Sequence, residues 1–277
     1  MDIRKQLFPR IAAAVFALGL GAACVSVASA ATVQPPSTLI KPGQIVYCSD
    51  ISSPPFESYT ANGKPVGEDV QLGDAIASLM GLKAVWRNTQ FSGIIPALEA
   101  KQCDAILSGM IDKAARRKVV DFVDYLSLGN IIVVPKGNPH HVENLAGLSG
   151  LTVAVEIGTN NQAELQAENA MLKKAGKKPM SIEAFPVDTA AFQQLEVGHV
   201  DAYFTAQPTA AALSAKTNGQ TELVGQLIGA LPFGIATTKQ NKALHNAIAE
   251  AFNDLRKNGE YIKILTAWGL QGTALKG

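Results

Sequence analysis

A stretch at residues 104–125 combines residue types that could bind an anion. It starts as a short apolar strand and breaks at Ser108 and Gly109, where small residues leave backbone N–H groups accessible. A cationic, helix-prone segment follows at residues 113–118 and includes Arg116. Loop amides and a guanidinium group can converge on one carboxylate. The same charges also suit a solvated face of the protein, and the stretch alone does not distinguish the two interpretations.

The N-terminal residues have the pattern of an export signal. A basic start at residues 4–10 precedes an almost wholly apolar run at residues 11–27, and residues 28–30 form an A-x-A cleavage site. This pattern predicts a signal peptide over residues 1–30. We therefore expect an exported protein, secreted through a cleaved signal peptide.

The composition excludes several classes of function. Removing residues 1–30 takes away three of the 24 basic and one of the 23 acidic residues, which leaves 21 against 22. A near-neutral chain has no electrostatic footprint for nucleic acid or an anionic membrane, so we expect no nucleic-acid partner. With 47% hydrophobic and 17% charged residues the chain does not fit disorder, and its length allows a sizeable core.

The thiol and imidazole groups offer little chemistry. Cys48 and Cys103, the two cysteines after residue 30, lie in predicted strands and lack metal-ligand spacing. Export permits a disulfide between them, but strands are uncommon hosts for one, so the sequence leaves the bridge open. His140 and His141 adjoin in a proline-containing loop and are interpreted as a surface turn. We expect no metal and no cofactor.

Predicted strands and helices alternate along the chain. In the first half, the strands are predicted at residues 45–49, 84–86 and 104–107, with helices between them at residues 70–80 and 91–100. In the second half, the strands are predicted at residues 151–155, 182–185 and 202–204, with helices at residues 162–175 and 189–197. Such alternation indicates an α/β fold with a largely parallel sheet, here in two lobes.

Two further segments are apolar: residues 131–135 lie between the two halves, and residues 233–237 follow the second half. We expect them to pair as crossing strands, which carry the chain from one lobe to the other and back. The first lobe is then formed by residues 31–134 and 235–277, and the second by residues 135–234. Ligands of open α/β sheets bind at the carboxyl ends of strands, so a cleft between the lobes is the predicted binding site.

An ordered set of short motifs supports this organisation. The motifs are Pro54-Pro55-Phe56, Val66-Gly67-x-Asp69, Phe91-Ser92-Gly93, Asp104-Ala105-Ile106, Arg116-Arg117-Lys118, Gly158-Thr159, Gly259-x-Tyr261 and Trp268-Gly269. In this order the chain resembles solute-binding protein family 3, the periplasmic substrate-binding proteins of polar amino acid-type ABC transporters. The resemblance covers almost the whole chain after residue 30. It implies a type II periplasmic-binding-protein fold, with two α/β lobes joined by a two-strand hinge and closing on the ligand.

The resemblance also implies a function and partners. The protein is expected to capture a small carboxylate-bearing solute, an amino acid or a related compound, and to deliver it to a membrane ABC permease. It is expected to be a monomer and not an enzyme. The same fold hosts exported cyclohexadienyl (prephenate or arogenate) dehydratases, so an enzyme of that kind is the alternative.

The family pattern assigns roles within the cleft. Arg116 matches the arginine that clamps the α-carboxylate of the ligand, and Phe91 matches an aromatic residue that stacks along the ligand side chain. Residues 108–110 match a loop that presents backbone groups. The full predicted ligand-binding set is Asp50, Ser53, Phe56, Phe91, Ser108, Gly109, Met110, Lys113, Arg116, Thr159 and Asn160.

Four positions depart from the family pattern. Ala206 replaces the aspartate that usually pairs with the ligand ammonium, and Lys113 replaces a usual threonine. Around Asp69, where a phenylalanine and a second aspartate are usual, this chain has Glu68 and Gln71. An ammonium group with no anionic partner in a closed cleft is costly. The departures therefore suggest a carboxylate-rich or amine-free ligand, unless Glu57 or Glu156 supplies the missing charge. Lys113 is equally compatible with facing solvent.

Overall fold

The computed structural model describes residues 32–275, so the predicted signal peptide over residues 1–30 lies outside the described part. The strands in chain order are β1 (Gln44–Ser49), β2 (Ser58–Tyr59), β3 (Pro65–Val66), β4 (Lys83–Asn88), β5 (Ala105–Ile106), β6 (Val120–Pro135), β7 (Thr152–Glu156), β8 (Ser181–Phe185), β9 (Ala202–Ala206) and β10 (Thr221–Thr238). The helices are α1 (Glu68–Leu79), α2 (Ile94–Glu99), α3 (Asn160–Lys174), α4 (Asp188–Glu196), α5 (Gln207–Ser214), α6 (Lys242–Lys257) and α7 (Glu260–Ala267). In this part of the chain no helix is both long and apolar enough to cross a bilayer.

The first lobe forms around β1, which pairs in parallel with β4 and β5. Side chains of a strand alternate between two faces, and helices cover both faces of β1. Ile45 and Tyr47 pack with residues of α1, α6 and α7. Cys48 packs on the other face with Ile94 and Leu98 of α2. A strand buried on both faces needs an unbroken apolar sequence, which explains the segment that starts at Ile45.

The second lobe has the same construction around β7, which pairs in parallel with β8 and β9. Val153 and Val155 pack against Leu165 of α3 on one face. Ala154 packs on the other face with Phe192 of α4. Helix α5 completes this second face. Each lobe is therefore a small sheet with helices on both sides, as the alternation predicted.

Strands β6 and β10 are antiparallel and run through both lobes, so that one sheet has the order β4-β1-β5-β10-β6-β9-β7-β8. The predicted pair of crossing strands is therefore present, but the two apolar segments do not lie opposite each other within it. Ile132 pairs with Val224 in the second lobe, whereas Ile235 pairs with Val123 in the first lobe. Each crossing strand is longer than its apolar segment. Within the β6–β10 pair the two apolar segments lie at opposite ends.

The ladder between β6 and β10 is irregular where it passes between the lobes. Its register shifts between Val224 and Ile228, and again between Ile228 and Leu231. Gly225 and Gly229 have φ angles of 79° and 57°, a region that favours glycine. Bulges and glycines bend a strand, so the chain can change direction here without breaking either lobe.

A disulfide joins Cys48 to Cys103, with a Cα–Cα distance of 5.6 Å. Cys48 lies in β1, while Cys103 lies in the turn just before β5 and not within a strand. In the parallel pairing of β1 with β5, Cys48 lies opposite Ile106, and the bridge reaches from β1 to the segment just before β5. The bridge that the sequence left open is therefore present within the first lobe.

Candidate functional site

A cleft lies between the two lobes and is lined by residues of both. Parallel strands end at this cleft, with β1 contributing from the first lobe and β7 and β9 from the second. Nine of the eleven residues predicted from the sequence line it: Asp50, Ser53, Phe56, Phe91, Ser108, Gly109, Arg116, Thr159 and Asn160.

Met110 and Lys113 are not on the cleft wall. The Met110 side chain is fully buried in the core of the first lobe, and its carbonyl accepts a hydrogen bond from the Gly234 N–H at 2.9 Å. The Lys113 Nζ lies 3.2 Å from the Asn160 Oδ1, at the edge of the cleft. A ligand-binding role for these two residues stays a prediction from the family pattern.

Arg116 and Arg117 have opposite environments. Arg116 is 8% exposed, and its guanidinium group lies 5.3 Å from the centre of the Phe91 ring and donates to the Ile111 carbonyl at 2.9 Å. Burial lowers the pKa of Arg116 to about 10, so the group remains cationic at neutral pH. Within residues 32–275 Arg116 forms no ion pair, whereas the exposed Arg117 binds Asp112. A buried cation without an anionic partner is costly, and a carboxylate in the cleft relieves that cost.

The first turn of α3 faces Arg116 across the cleft. Thr159 caps this helix, because its Oγ1 accepts the Gln162 N–H at 3.2 Å and donates to the Glu156 carbonyl at 2.8 Å. The N-terminus of a helix carries unpaired N–H groups and a partial positive charge. Arg116 from one lobe and the first turn of α3 from the other therefore both present positive charge to the cleft.

The same cleft also contains acidic groups. Four carboxyl groups line it: Asp50, Glu57, Glu156 and Asp188. Asp188 is saturated by protein donors, since Ser53, Tyr203 and Thr205 all donate to it. These hydrogen bonds oppose the rise in the Asp188 pKa that burial causes. Asp188 is thus held as an acceptor between the lobes.

Of the four carboxyl groups in the cleft, Glu156 has the fewest hydrogen bonds from the protein. It is buried, and its Oε1 has no hydrogen-bond partner among the described residues. Burial raises the pKa of Glu156 well above its ordinary value, and repulsion from Asp188 and Asp50 raises it further. Asp50 is better supported, because its Oδ2 accepts the Phe91 N–H at 2.7 Å. A cation placed beside Glu156 would compensate its charge.

The Ser108–Gly109 loop is held from behind by further acids. Ser108 Oγ donates to Glu57 Oε1 at 2.9 Å, and the Gly109 N–H donates to Asp69 Oδ2 at 2.7 Å. Tyr125 Oη donates to the other oxygen of Asp69 at 2.7 Å. These contacts fix the loop that forms the floor of the cleft beside Arg116.

Several cleft residues were not in the predicted set: Glu57, Ile111, Glu156, Asn161, Asp188, Thr205, Ala206, Thr209 and Phe233. Glu156 and Thr205 belong to β7 and β9, and Asp188 follows β8, so the rule that ligands bind at the carboxyl ends of parallel strands could have identified them. Phe233 carried no such signal, because it lies in a crossing strand.

The two lobes touch directly beside the cleft. Ser52 and Ser53 of the first lobe bind Asp188 of the second lobe, through its backbone N–H and its carboxylate respectively. A Cβ atom added at Gly158 would lie 2.8 Å from the Ser92 Cα of the first lobe. The structure is therefore a closed arrangement of the lobes.

Comparisons with known proteins agree with this architecture. The family described as bacterial extracellular solute-binding proteins, family 3, matches residues 45–271. The arginine-binding protein ArgT of Corynebacterium glutamicum is 30% identical over 239 residues, which cover 85% of this chain and 77% of ArgT. An ancestral arginine-binding protein bound to arginine superposes with a TM-score of 0.75 at 35% identity, covering 82% of this chain and 98% of that one.

A third similar structure bears on the enzyme alternative. It is the ancestral amino acid-binding protein AncCDT-1, a precursor of cyclohexadienyl dehydratase. Its TM-score is 0.74 at 29% identity, covering 82% of this chain and 95% of that one. The family match over most of the chain and the structural similarity confirm the predicted fold class, a type II periplasmic-binding-protein fold. The chain belongs to the bacterial extracellular solute-binding proteins of family 3.

Proposed function

We propose that this protein is an extracytoplasmic binding protein that captures an amino acid between its lobes and delivers it to a membrane ABC permease. The observation that carries the proposal is one cleft between the lobes that is lined by groups of opposite charge. The buried Arg116 and the first turn of α3 line it, and so do four carboxyl groups. An amino acid presents the complementary pair, a carboxylate and an ammonium group.

The ligand carboxylate is assigned to Arg116 and the first turn of α3. The planar guanidinium group binds both oxygens of a carboxylate, and the helix N-terminus adds N–H donors from the second lobe. A ligand held this way joins the lobes, which is how binding favours the closed form.

The ligand ammonium is assigned to Glu156, with Asp50 beside it. The family pattern places an aspartate at the position of Ala206, and the absence of a carboxylate there suggested an amine-free ligand. Glu156 supplies a buried carboxyl group with an unpartnered oxygen on the same wall as Ala206. We therefore favour a ligand that keeps its ammonium group.

The surplus of carboxyl groups favours a ligand with a second cationic group, and L-arginine is the first candidate. Glu57 Oε2 is also buried and unpartnered among the described residues. Phe56 and Phe91 line the cleft and offer apolar surface to the methylene groups of a long side chain. ArgT and the ancestral protein, both named for binding arginine, are consistent with this class.

The test is calorimetric titration with three compounds that differ by one group. L-arginine is expected to bind, agmatine lacks the carboxylate, and 5-guanidinopentanoate lacks the α-ammonium group. Both analogues are expected to bind at least about 100-fold more weakly, because each lacks the partner of a buried group, Arg116 for the carboxylate and Glu156 for the ammonium group. Binding of the ammonium-free analogue as tightly as L-arginine would contradict the role of Glu156.

Substitution of Arg116 and, separately, of Arg117 distinguishes an effect on ligand binding from an effect on folding. We expect Arg116→Gln to weaken binding of L-arginine by about 100-fold or more. Arg117→Gln is the matched control, since Arg117 is exposed, pairs with Asp112 and does not line the cleft. Equal affinities in the two variants would remove Arg116 from the site.

A dehydratase acting on prephenate or arogenate is the second candidate. The observation that favours it is the pair of buried acids, Glu57 and Glu156, whose pKa values are raised by burial and which could donate a proton near Arg116. The similarity to AncCDT-1 is consistent with it. Incubation with each compound decides, because loss of the hydroxyl and carboxyl groups forms an aromatic product with a distinct absorbance.

The division into lobes and the oligomeric state are also proposals. The packing of Ile132 with the second core favours a first crossing somewhat before the proposed boundary at residue 134, and the packing of Phe233 with the first core favours a return somewhat before residue 235. We propose a monomer, as delivery to a permease requires both lobe faces beside the cleft. Light scattering coupled to size exclusion tests this state.

A further inference from the structure

Lys113 connects the two lobes without lining the cleft. It belongs to the loop between β5 and β6 of the first lobe, and its Nζ donates to the Asn160 Oδ1 at 3.2 Å. Asn160 is the first residue of α3, the helix whose N-terminus faces Arg116. The contact thus joins the first lobe to the element that we assign to the ligand carboxylate.

The connection continues to the crossing strand. Asn160 Nδ2 donates to one carboxylate oxygen of Glu164 at 2.7 Å, and Asn130 Nδ2 donates to the other at 3.0 Å. Asn130 lies in β6, where it pairs with Ala206 of β9. A row of four polar side chains therefore runs from the first lobe, past the first turn of α3, to the strand that crosses between lobes.

The charges at the two ends of this row favour closure. Lys113 is a cation of the first lobe and Glu164 an anion of the second lobe, and both are partly buried. Within its own lobe, Lys113 is repelled by the nearby cation Arg116. Moving Lys113 out to solvent would relieve that repulsion, so the contact with Asn160 and the attraction of Glu164 are what hold the side chain inward.

We propose that Lys113 is a positioning residue that holds the lobes together and orients the first turn of α3 towards Arg116. This role rests on the proposed function only in that the closed form is taken as the form that binds the ligand. It differs from both interpretations of the sequence, a ligand contact and a solvated side chain. Because the row consists of protein groups alone, it also favours closure of the ligand-free protein.

The experiment measures closure and dissociation separately. Nitroxide labels at Ala61 and Lys173, one exposed position in each lobe, report the distance distribution between lobes by pulsed electron spin resonance. Stopped-flow displacement of L-arginine, the probe ligand, gives the dissociation rate. Lys113→Met removes the contact, Lys113→Arg restores a donor, and Lys118→Met is the matched control at an exposed position of the same segment.

The expected result is a smaller closed fraction in ligand-free Lys113→Met, with dissociation roughly three- to ten-fold faster, because a partly buried hydrogen bond is lost. Lys113→Arg should recover most of both effects, and Lys118→Met should match the parent protein. Identical distance distributions in Lys113→Met and the parent protein overturn the proposal. If L-arginine fails to bind the parent protein, the proposed ligand class is wrong, and the ligand-free distances still decide the role of Lys113.

Discussion

Three buried carboxyl groups lie close together at the floor of the cleft: Glu57 lines the cleft, and Glu68 and Asp69 do not. Asp69 accepts hydrogen bonds from Tyr125 and Gly109, which favour its ionised form. Glu68 has no exposed surface, and neither of its carboxyl oxygens has a partner among the described residues. Burial first, and then repulsion from Asp69, raise the pKa of Glu68 well above its ordinary value of 4.5. Both effects favour the protonated form of Glu68 in the folded protein.

This proton links stability to pH. The folded protein retains a proton on Glu68 that the unfolded chain releases, so the stabilising contribution is complete below about pH 4.5 and is lost as pH rises through the folded-state pKa. We expect the unfolding free energy to fall with rising pH more steeply in the parent protein than in Glu68→Gln, by up to about 1.4 kcal/mol per pH unit. Urea denaturation from about pH 5 to about pH 8 measures both slopes.

Glu99→Gln is the control for this experiment. It makes the same change at an exposed position of the same lobe. Its slope should equal that of the parent protein. Parallel slopes for Glu68→Gln and the parent protein would show that Glu68 is ionised in the folded state.

The sequence predicted single residues where a family motif fixed their role. Arg116 was separated from Arg117 by that motif, since both belong to one cationic run. The structure adds the physical reason, because successive residues of a 3₁₀ turn point about 120° apart. Glu156 was predicted only as a possible source of the missing negative charge. Asp188 escaped prediction because its importance depends on which partners reach it across the cleft, and local sequence does not contain that information.

At the scale of elements, the turn from β7 to α3 sets how closely the lobes approach. Gly158 in this turn has a φ angle of 80°, and its position against Ser92 leaves no room for a side chain. A methyl group there would hold the lobes apart, and it would do so next to the first turn of α3. The turn therefore limits closure without contacting the core of either lobe.

We expect Gly158→Ala to weaken ligand binding by at least about ten-fold, because overpacking of a close contact costs about 1–3 kcal/mol. Gly198→Ala is the matched control. Its φ angle of 72° imposes a similar backbone cost of about 1–2 kcal/mol on stability, while no atom lies within 4 Å of an added Cβ. Calorimetric titration measures affinity in both variants. Equal affinities would show that closure does not bring Gly158 against Ser92.

Hydrophobic periodicity predicted most elements and missed those with weak patterns. Strands such as β1 and β7 are buried on both faces and therefore stand out as apolar runs. The N-terminal part of β10 is half exposed and contains glycines, so its sequence does not distinguish it from a loop. Strands β2 and β3 have two residues each, too few to show any period.

At the scale of the whole molecule, the only covalent cross-link described lies within the first lobe. The Cys48–Cys103 disulfide spans 55 positions of sequence. Closing a loop of that length in the unfolded chain is expected to stabilise the folded state by roughly 4 kcal/mol. Neither cysteine lines the cleft.

The double substitution Cys48→Ser with Cys103→Ser should therefore lower the unfolding free energy by roughly that amount and leave ligand affinity nearly unchanged. Urea denaturation and calorimetric titration measure the two quantities. The parent protein denatured in the presence of a reductant is the control and should approach the stability of the variant. A variant within about 1 kcal/mol of the parent protein would show that the bridge contributes little.

The overall fold was predictable because the alternation of strands and helices and the family motifs agreed. The relative position of the lobes was not predictable from either. It depends on contacts such as Lys113–Asn160 and Ser53–Asp188, which join residues 47 and 135 positions apart. Periodicity describes which face of an element is buried, and it does not identify a partner at such distances.

The course of the two crossing strands has a consequence for biosynthesis. The second lobe is one continuous excursion of the chain, whereas the core of the first lobe combines Ile45 and Leu72 with Ile248 and Phe252. A chain that emerges N-terminus first can therefore assemble the second lobe before its last helices exist. The first lobe must wait for α6 and α7, with part of its apolar surface uncovered until they arrive. Helices α6 and α7 thus complete the lobe that β1 begins.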